Sequence, residues 1–327
     1  MILDNIRRKV ARIMLIALAV LLCLYFRDLF FGYADRTEWK MSVFDGLPDF
    51  VPDELFLPVS IILSLTAGFL IYKINFEHLS ITGREHLLVW LWVIQFGGIS
   101  FLHPLSEVHF ATVCILMSYD ILFRINTKIT DYSAVFLSAM YLGLASLFYG
   151  FAVYLFVPYM ISLYRFKWAG FRDWIISIAG FLTPFYFAVF AFHFSTGDWS
   201  YPITATIDNV VPDVLTLKPV DMSVWQYVFC IFVSILIVAE TVMSVKSANR
   251  GINRKTISCL RSFSSLMFFS VLIFLLFAPD SRLMLQIIFI PTTVLLRMLF
   301  VKINRNIVAN SLFVALTAIS VIAILLC

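Results

Sequence analysis

The chain has 327 residues, of which 61% are hydrophobic and 13% are charged. About a quarter of the residues of a soluble globular domain are charged, so this composition excludes an ordinary water-soluble fold and indicates lipid as the solvent. The formal net charge of +4 predicts no nucleic-acid partner, because the positions of the basic residues explain it better, as described below.

The cysteines and the known sequence motifs give no sign of a bound group. All five cysteines fall in apolar runs without a Cys-x-x-Cys pair and are interpreted as small apolar side chains (Cys23, Cys114, Cys230, Cys259 and Cys327). The sequence contains no P-loop, no Gly-x-Gly-x-x-Gly, no His-Glu-x-x-His and no Gly-x-Ser-x-Gly. It therefore predicts no cofactor and no metal.

Apolar runs of about 20 residues predict membrane-spanning helices, because a helix of that length crosses a hydrocarbon core about 30 Å thick. In chain order the predicted spans are 10–30, 55–73, 87–104, 106–124, 134–148, 150–164, 174–194, 225–245, 262–278, 283–301 and 306–326. The predicted fold class is an all-α polytopic membrane helix bundle of about eleven transmembrane helices, which form a single integral membrane domain over residues 1–327.

The fifth and sixth spans allow two interpretations. Residues 134–164 are too many for one helix and few for two, with Gly150 near the middle and Pro158 beyond it. We expect a tight hairpin of two short helices; one long kinked helix is the alternative.

The basic residues predict the orientation. With the hairpin, nineteen of the 24 Lys and Arg residues fall on one side of the membrane. The five on the other side are Arg27, Arg36, Lys40, Lys218 and Arg282. Basic residues near span ends are retained in the cytoplasm, so the N-terminus is predicted inside and the C-terminus in the periplasm. A single helix at 134–164 would place the basic clusters at 165–172 and 246–255 outside the cytoplasm. Because that placement is disfavoured, the basic residues favour the hairpin.

The predicted external loops at 31–54 and 195–224 carry aromatic residues suited to the headgroup layer. We expect both loops to lie along the membrane surface.

The segment His103-Pro104-Leu105-Ser106-Glu107-Val108-His109 lies at a predicted external junction between two spans. Pro104 and Glu107 suit the first turn of a helix. If the helix begins early, His103 and Glu107 share a face and are candidates for proton transfer or metal binding, with His109 pointing elsewhere. The structural alternative is a capped helix start with an interfacial histidine.

Charges lie at the outer end of the first span and just beyond it, at Arg27-Asp28, Asp35-Arg36 and Glu38. The position of Asp28 resembles that of the catalytic carboxylate in the first external loop of membrane glycosyltransferases that use polyprenyl-phosphate donors. The alternative is a solvated acidic loop.

Asp120, Glu240, Arg261 and Arg297 fall within predicted spans or at their ends, where a charge is costly and therefore a functional hypothesis. Asp120 can pair with Arg124 at i,i+4, and Arg261 and Arg297 are predicted to snorkel to the interface. Glu240 is deeper and shorter, so we expect it to contact a basic or hydroxyl partner on a neighbouring helix. Gln95 is interpreted as one polar contact in a close helix packing.

Several ordered blocks carry a family resemblance over residues 100–195. They are His103-Pro104, Gly143-Leu144-Ala145-Ser146-Leu147-Phe148-Tyr149, Arg165-Phe166-Lys167-Trp168, Arg172-Asp173-Trp174 and Gly180-Phe181-Leu182-Thr183-Pro184. Together they resemble an uncharacterised family of polytopic inner-membrane proteins of Bacteroidota, a domain-of-unknown-function family. Gly150 stands where that family has a proline. The resemblance implies a Gram-negative inner membrane and supplies no catalytic residues.

Three functions remain open: an enzyme or polymerase acting on a lipid-linked glycan, a transporter or flippase, and a non-catalytic envelope scaffold. The first is favoured because polar residues cluster at the predicted outer rim, and few lie at mid-membrane. Its predicted catalytic residues are Asp28, His103 and Glu107, and Arg27 and Arg282 are predicted to bind phosphate. The predicted partners are membrane lipids and a polyprenyl-phosphate-linked substrate.

Overall fold

A computed structural model describes Val43 and residues 52–79, 87–99, 102–125, 131–167, 170–197, 199–210, 223–247, 254–277, 283–303 and 306–325. Its α-helices are α1 (Asp53–Ile74), α2 (Leu87–Gly97), α3 (Glu107–Arg124), α4 (Tyr132–Phe148), α5 (Phe156–Lys167), α6 (Phe171–Thr196), α7 (Tyr201–Val210), α8 (Val224–Ser247), α9 (Arg254–Leu276), α10 (Met284–Lys302) and α11 (Asn306–Leu325). A π-helical turn (Asn75–Leu79) extends α1, and a 3-10 helix (Gly150–Leu155) precedes α5. These ranges contain no strand, so the all-α class is confirmed.

Four helical segments are long and apolar enough to cross a membrane: Leu55–Leu79, Phe171–Phe194, Lys255–Leu276 and Met284–Lys302. The shorter apolar helices are Leu87–Gly97, Tyr132–Phe148, Gly150–Phe166, Val224–Glu240 and Ile307–Ala323. The fold is therefore consistent with an integral membrane protein.

Each predicted span from 55–73 onward overlaps a described helix, whereas span 10–30 lies outside the described residues. The predicted span 87–104 is too long, because α2 ends at Gly97 and a turn leads to α3. The loop predicted at 195–224 contains an additional helix, α7, with Pro202 in its first turn, where its missing N–H costs nothing.

The chain folds back at Tyr149, where the backbone is extended (φ −135°, ψ 105°). The Tyr159 hydroxyl of α5 lies 2.7 Å from the Ser138 hydroxyl of α4 and donates to the Val135 carbonyl at 3.2 Å. In one continuous helix Ser138 and Tyr159 would be about 30 Å apart. Two helices are therefore present at 134–164, and the single kinked helix is wrong.

The core of the bundle is built around α10. All of its residues from 284 to 300 are buried, and it packs against α2, α3, α8 and α9. Polar residues of α10 therefore bond within the bundle: Thr292 and Thr293 contact Gln95, and Arg297 contacts Asn75.

Helices α1 and α3 run parallel, as two contacts between them show. Ser60 lies beside His109 near their first turns, and Lys73 lies beside Asp120 near their last turns. The two contacts are about 17–20 Å apart along the helices. We call the two levels of the bundle the His103 end and the Asp120 end.

Candidate functional site

At the His103 end, Ser106 is the N-cap of α3 and Glu107 is its first residue. Glu107 therefore lies in the first helical turn, as predicted. His103 precedes the helix in an irregular turn, so the expectation that His103 and Glu107 share a helical face is wrong. The reason is the chain between them, where the helix begins only after Pro104 and Leu105 have completed the turn.

His109, which was predicted to point elsewhere, faces this turn. Its Nδ1 accepts the Ser106 backbone N–H at 3.2 Å, which places the ring proton on Nε2. Nε2 then donates to Ser60 Oγ at 3.1 Å, and the Ser60 hydroxyl donates to the His103 carbonyl oxygen at 2.6 Å. This chain of hydrogen bonds ties α1 to the turn before α3.

Burial separates these side chains from the bundle surface. His103, Glu107 and His109 are each 1% exposed, and His103 Nε2 donates to the Gly97 carbonyl at 3.1 Å. The His103 contact holds the α2–α3 turn in place. Of the structural alternative, the capped helix start is confirmed by Ser106, and the interfacial position of the histidine stays a prediction. The other three predicted site residues, Arg27, Asp28 and Arg282, lie outside the described residues.

The Asp120 end holds a denser cluster of charges. Asp120 Oδ2 accepts from Lys73 Nζ at 3.0 Å and from Arg124 Nη2 at 2.6 Å, which confirms the predicted i,i+4 pair. Asp120 Oδ1 instead faces His78 Nε2 at 3.1 Å. Glu77 Oε2 lies 3.8 Å from His78 Nε2 and 3.5 Å from Arg124 Nη2. We call these five residues the Asp120 cluster.

Exposure within the Asp120 cluster is graded. The side chains of His78 and Asp120 are 4% and 6% exposed, whereas those of Lys73, Glu77 and Arg124 are 31%, 38% and 50% exposed. The cluster is therefore open on one side and closed on the other, unlike the residues of the His103 end.

The π-helical turn that carries Glu77 and His78 is held at both ends. Arg297 of α10 donates to the Asn75 side-chain oxygen, and Thr256 of α9 donates to the Leu79 carbonyl at 3.1 Å. Arg297 is 1% exposed, so the prediction that it snorkels to the interface is wrong. The hydrogen-bond partner in the core keeps it there. Arg261 is exposed, and its snorkelling to the interface stays a prediction.

Sequence reasoning identified Asp120 and Arg124 but missed Lys73, Glu77 and His78. A signal was available in the sequence. Lys73 ends one predicted span and Glu77 follows it four residues later, and Asp120 and Arg124 are likewise four residues apart at the end of another. Both spans were predicted to run in the same direction, which brings their ends to the same side. Of the described residues, Glu77, His78 and Asp120 are the group that could hold a metal ion.

Two other predicted contacts are present. Glu240 of α8 accepts from Lys302 Nζ of α10 at 2.9 Å, which confirms the expected basic partner. The Gln95 side-chain oxygen accepts from the hydroxyls of Thr292 and Thr293 at 3.1 and 2.8 Å, which confirms the expected polar contact.

An apolar groove lies between α8 and α9, with α10 as its floor. Its volume is about 380 Å³, and its lining includes Cys230, Val238, Val271, Phe274 and Thr292. Thr292 touches Gln95, two residues before the Gly97 carbonyl that binds His103. The groove, called here the α8–α9 groove, therefore lies in the same half of the bundle as the His103 end.

No protein-family model, no curated protein and no solved structure matches the chain.

Proposed function

We propose that this chain is a multi-pass inner-membrane protein of eleven spans, with a cytoplasmic N-terminus and a periplasmic C-terminus. The distribution of Lys and Arg supports this orientation. The fold-back at Tyr149 supports it as well, because it keeps the basic clusters at 165–172 and 246–255 on the crowded side.

Single-cysteine labelling tests the orientation. In a background without the five native cysteines, a membrane-impermeant maleimide added from outside should modify cysteines placed at 36–50 and 200–218. Cysteines at 126–130 and 248–254 should react only after the membrane is opened. Strong labelling of intact cells at 248–254 would overturn both the orientation and the count of spans.

We further propose that the protein handles a lipid-linked, phosphate-bearing substrate in the half of the bundle that is predicted to face the periplasm. The observation that carries this proposal is the α8–α9 groove. Its volume of about 380 Å³ is within the range of about 300–1,000 Å³ that small-molecule sites have. An apolar groove open at the bundle surface suits a hydrocarbon or isoprenoid chain better than a polar solute.

A phosphate at the end of such a chain requires cations at headgroup depth. Arg282 precedes Leu285, a groove-lining residue, by three positions, and so supplies a positive charge next to the groove in the sequence. Arg27 is a second candidate cation, and Asp28 is the candidate carboxylate for proton transfer. Because His103 and Glu107 are buried, we assign them to holding the α2–α3 turn beneath the site.

Photo-cross-linking tests the groove. In vesicles that contain a diazirine-bearing isoprenoid phosphate, we expect adducts on α8 and α9 of the wild-type protein. The substitution Val238→Trp should reduce the adduct yield several-fold, because Val238 lines the groove and indole would fill it. Unlabelled phosphatidylglycerol is added as a competitor. If it removes the adducts, the groove accepts any acyl chain; if the adducts persist, the groove prefers the isoprenoid.

The matched control is Ile235→Trp. Ile235 and Val238 are both β-branched residues of α8 with similar exposure, 59% and 61%, but Ile235 does not line the groove. Its adduct yield should equal that of the wild type. Equal yields from both variants would refute a role for the groove.

The second candidate function is a non-catalytic membrane scaffold, and it is favoured by the burial of His103 and Glu107 at 1% exposure. The His103 side chain also donates to the Gly97 carbonyl, and a buried group bonded to the backbone stabilises a turn rather than meets a substrate. A scaffold predicts that Val238→Trp and Ile235→Trp give the same low cross-linking as an unrelated membrane protein.

A further inference from the structure

We propose that Glu77, His78 and Asp120 bind a divalent transition-metal ion of the Zn²⁺ type at the Asp120 end. This site is separate from the proposed lipid groove, and neither depends on the other. One imidazole nitrogen and two carboxylate oxygens form a mixed ligand set that suits zinc and its neighbours better than Mg²⁺ or Ca²⁺, which prefer oxygen alone.

The distances fit a tetrahedral ion. With bonds of about 2.0–2.1 Å, two ligands of a tetrahedral metal are about 3.3 Å apart. His78 Nε2 lies 3.1 Å from Asp120 Oδ1 and 3.8 Å from Glu77 Oε2. All three ligating atoms lie within 4.8 Å of one another, so small rotations of the half-exposed Glu77 side chain complete the geometry.

The two oxygens of the Asp120 carboxylate make different contacts. Lys73 and Arg124 both donate to Oδ2, which leaves Oδ1 directed at His78. A carboxylate that binds a metal through one oxygen and accepts hydrogen bonds through the other is held in a fixed orientation. Through Oδ2 the two cations therefore orient the Asp120 ligand, and Arg124 Nη2 also lies 3.5 Å from Glu77 Oε2.

His78 can present a lone pair to the metal. Its Nδ1 is buried and makes no hydrogen bond to any residue in the described ranges, so no contact there fixes the ring tautomer. The proton that Nε2 shares with Asp120 in the metal-free cluster can move to Nδ1, which leaves Nε2 as a neutral ligand. The His78 ring also packs edge-on against Phe123, which limits its rotation.

The backbone presents the ligands on a rigid support. Glu77 and His78 are consecutive residues of a π-helical turn, a feature often found at functional sites. The contacts of Asn75 with Arg297 and of Leu79 with Thr256 hold this turn on both sides. Three protein ligands leave a fourth position open, and Lys73 and Arg124 beside it favour water or an anion such as phosphate there.

Metal analysis of the full-length protein tests the site. The protein, purified in detergent with a tag that contains no histidine and treated with a chelator, is equilibrated with micromolar Zn²⁺ or Co²⁺. We expect one tightly held equivalent per chain and, with Co²⁺, the visible absorption bands of a tetrahedral complex. Glu77→Gln and His78→Gln should each lower the affinity at least about tenfold, since even loss of an outer contact costs that much.

Glu77→Gln is the decisive variant, because Glu77 is half-exposed and its loss leaves the fold intact. The matched control is Glu240→Gln, which removes a buried carboxylate that is also paired with a lysine but lies outside the one group of described residues that could hold a metal ion. It should bind metal as the wild type does. Absence of bound metal in the wild type, or equal binding by Glu77→Gln and the wild type, would overturn the proposal.

Discussion

Alanine at Gly143 or Gly180 is expected to destabilise the protein by about 3 kcal/mol or more, at the upper end of overpacking effects. These glycines lie where α4 and α6 pack against each other. A Cβ at Gly143 would overlap the Phe181 carbonyl, and a Cβ at Gly180 would overlap that of Phe136. Because the obstacle is backbone in both cases, no side-chain rotation can relieve it and the two helices must separate. Glycine allows this close approach of two membrane helices.

Equilibrium unfolding in mixed detergent micelles measures this effect, with the free energy of unfolding compared between variants. Gly170→Ala is the control, because a Cβ there would meet only a side-chain oxygen of Asp173, at 4.0 Å. Its cost should be below about 1 kcal/mol. Near-wild-type stability of Gly143→Ala would show that α4 and α6 are not in close contact.

Substitution of Asp120 by alanine should cost about 3 kcal/mol of unfolding free energy, because removal of one partner leaves buried polar groups unpaired. His78 and Lys73 both lose their acceptor, and His78 is almost fully buried. Arg124→Gln breaks a contact within the same cluster but should cost less than about 1 kcal/mol, since its side chain is 50% exposed and water replaces the contact. Both values are measured with a chelator present, so that they report the protein without metal.

The order of these two costs is the informative result. If Asp120→Ala and Arg124→Gln destabilise the protein equally, the Asp120 cluster behaves as an exposed ion pair in solution. A large cost for Asp120→Ala alone indicates a closed polar site that is anchored from within the bundle.

Hydropathy predicted most helices of this protein because the requirement to span a hydrocarbon core acts on each segment of the chain separately. Twenty apolar residues form a helix whatever their neighbours are, since lipid offers no hydrogen-bond partners to backbone N–H and C=O groups that are left unpaired. The chemical type of the Glu240 partner could also be predicted from the sequence, because a carboxylate at that depth needs a cation or a hydroxyl beside it. Its identity, Lys302, depends on how α8 packs on α10.

Tertiary structure decided the candidate sites, because the contacts that form them join distant parts of the chain. Asp120 meets His78 across 42 positions, and Arg297 meets Asn75 across 222. No periodicity within one helix specifies such pairs. His109 illustrates the same limit, since a single turn before α3 determined that it joins His103 through Ser60. Sequence alone determined that the chain forms apolar helices and where most of them lie, and packing between helices determined which polar groups those helices bring together.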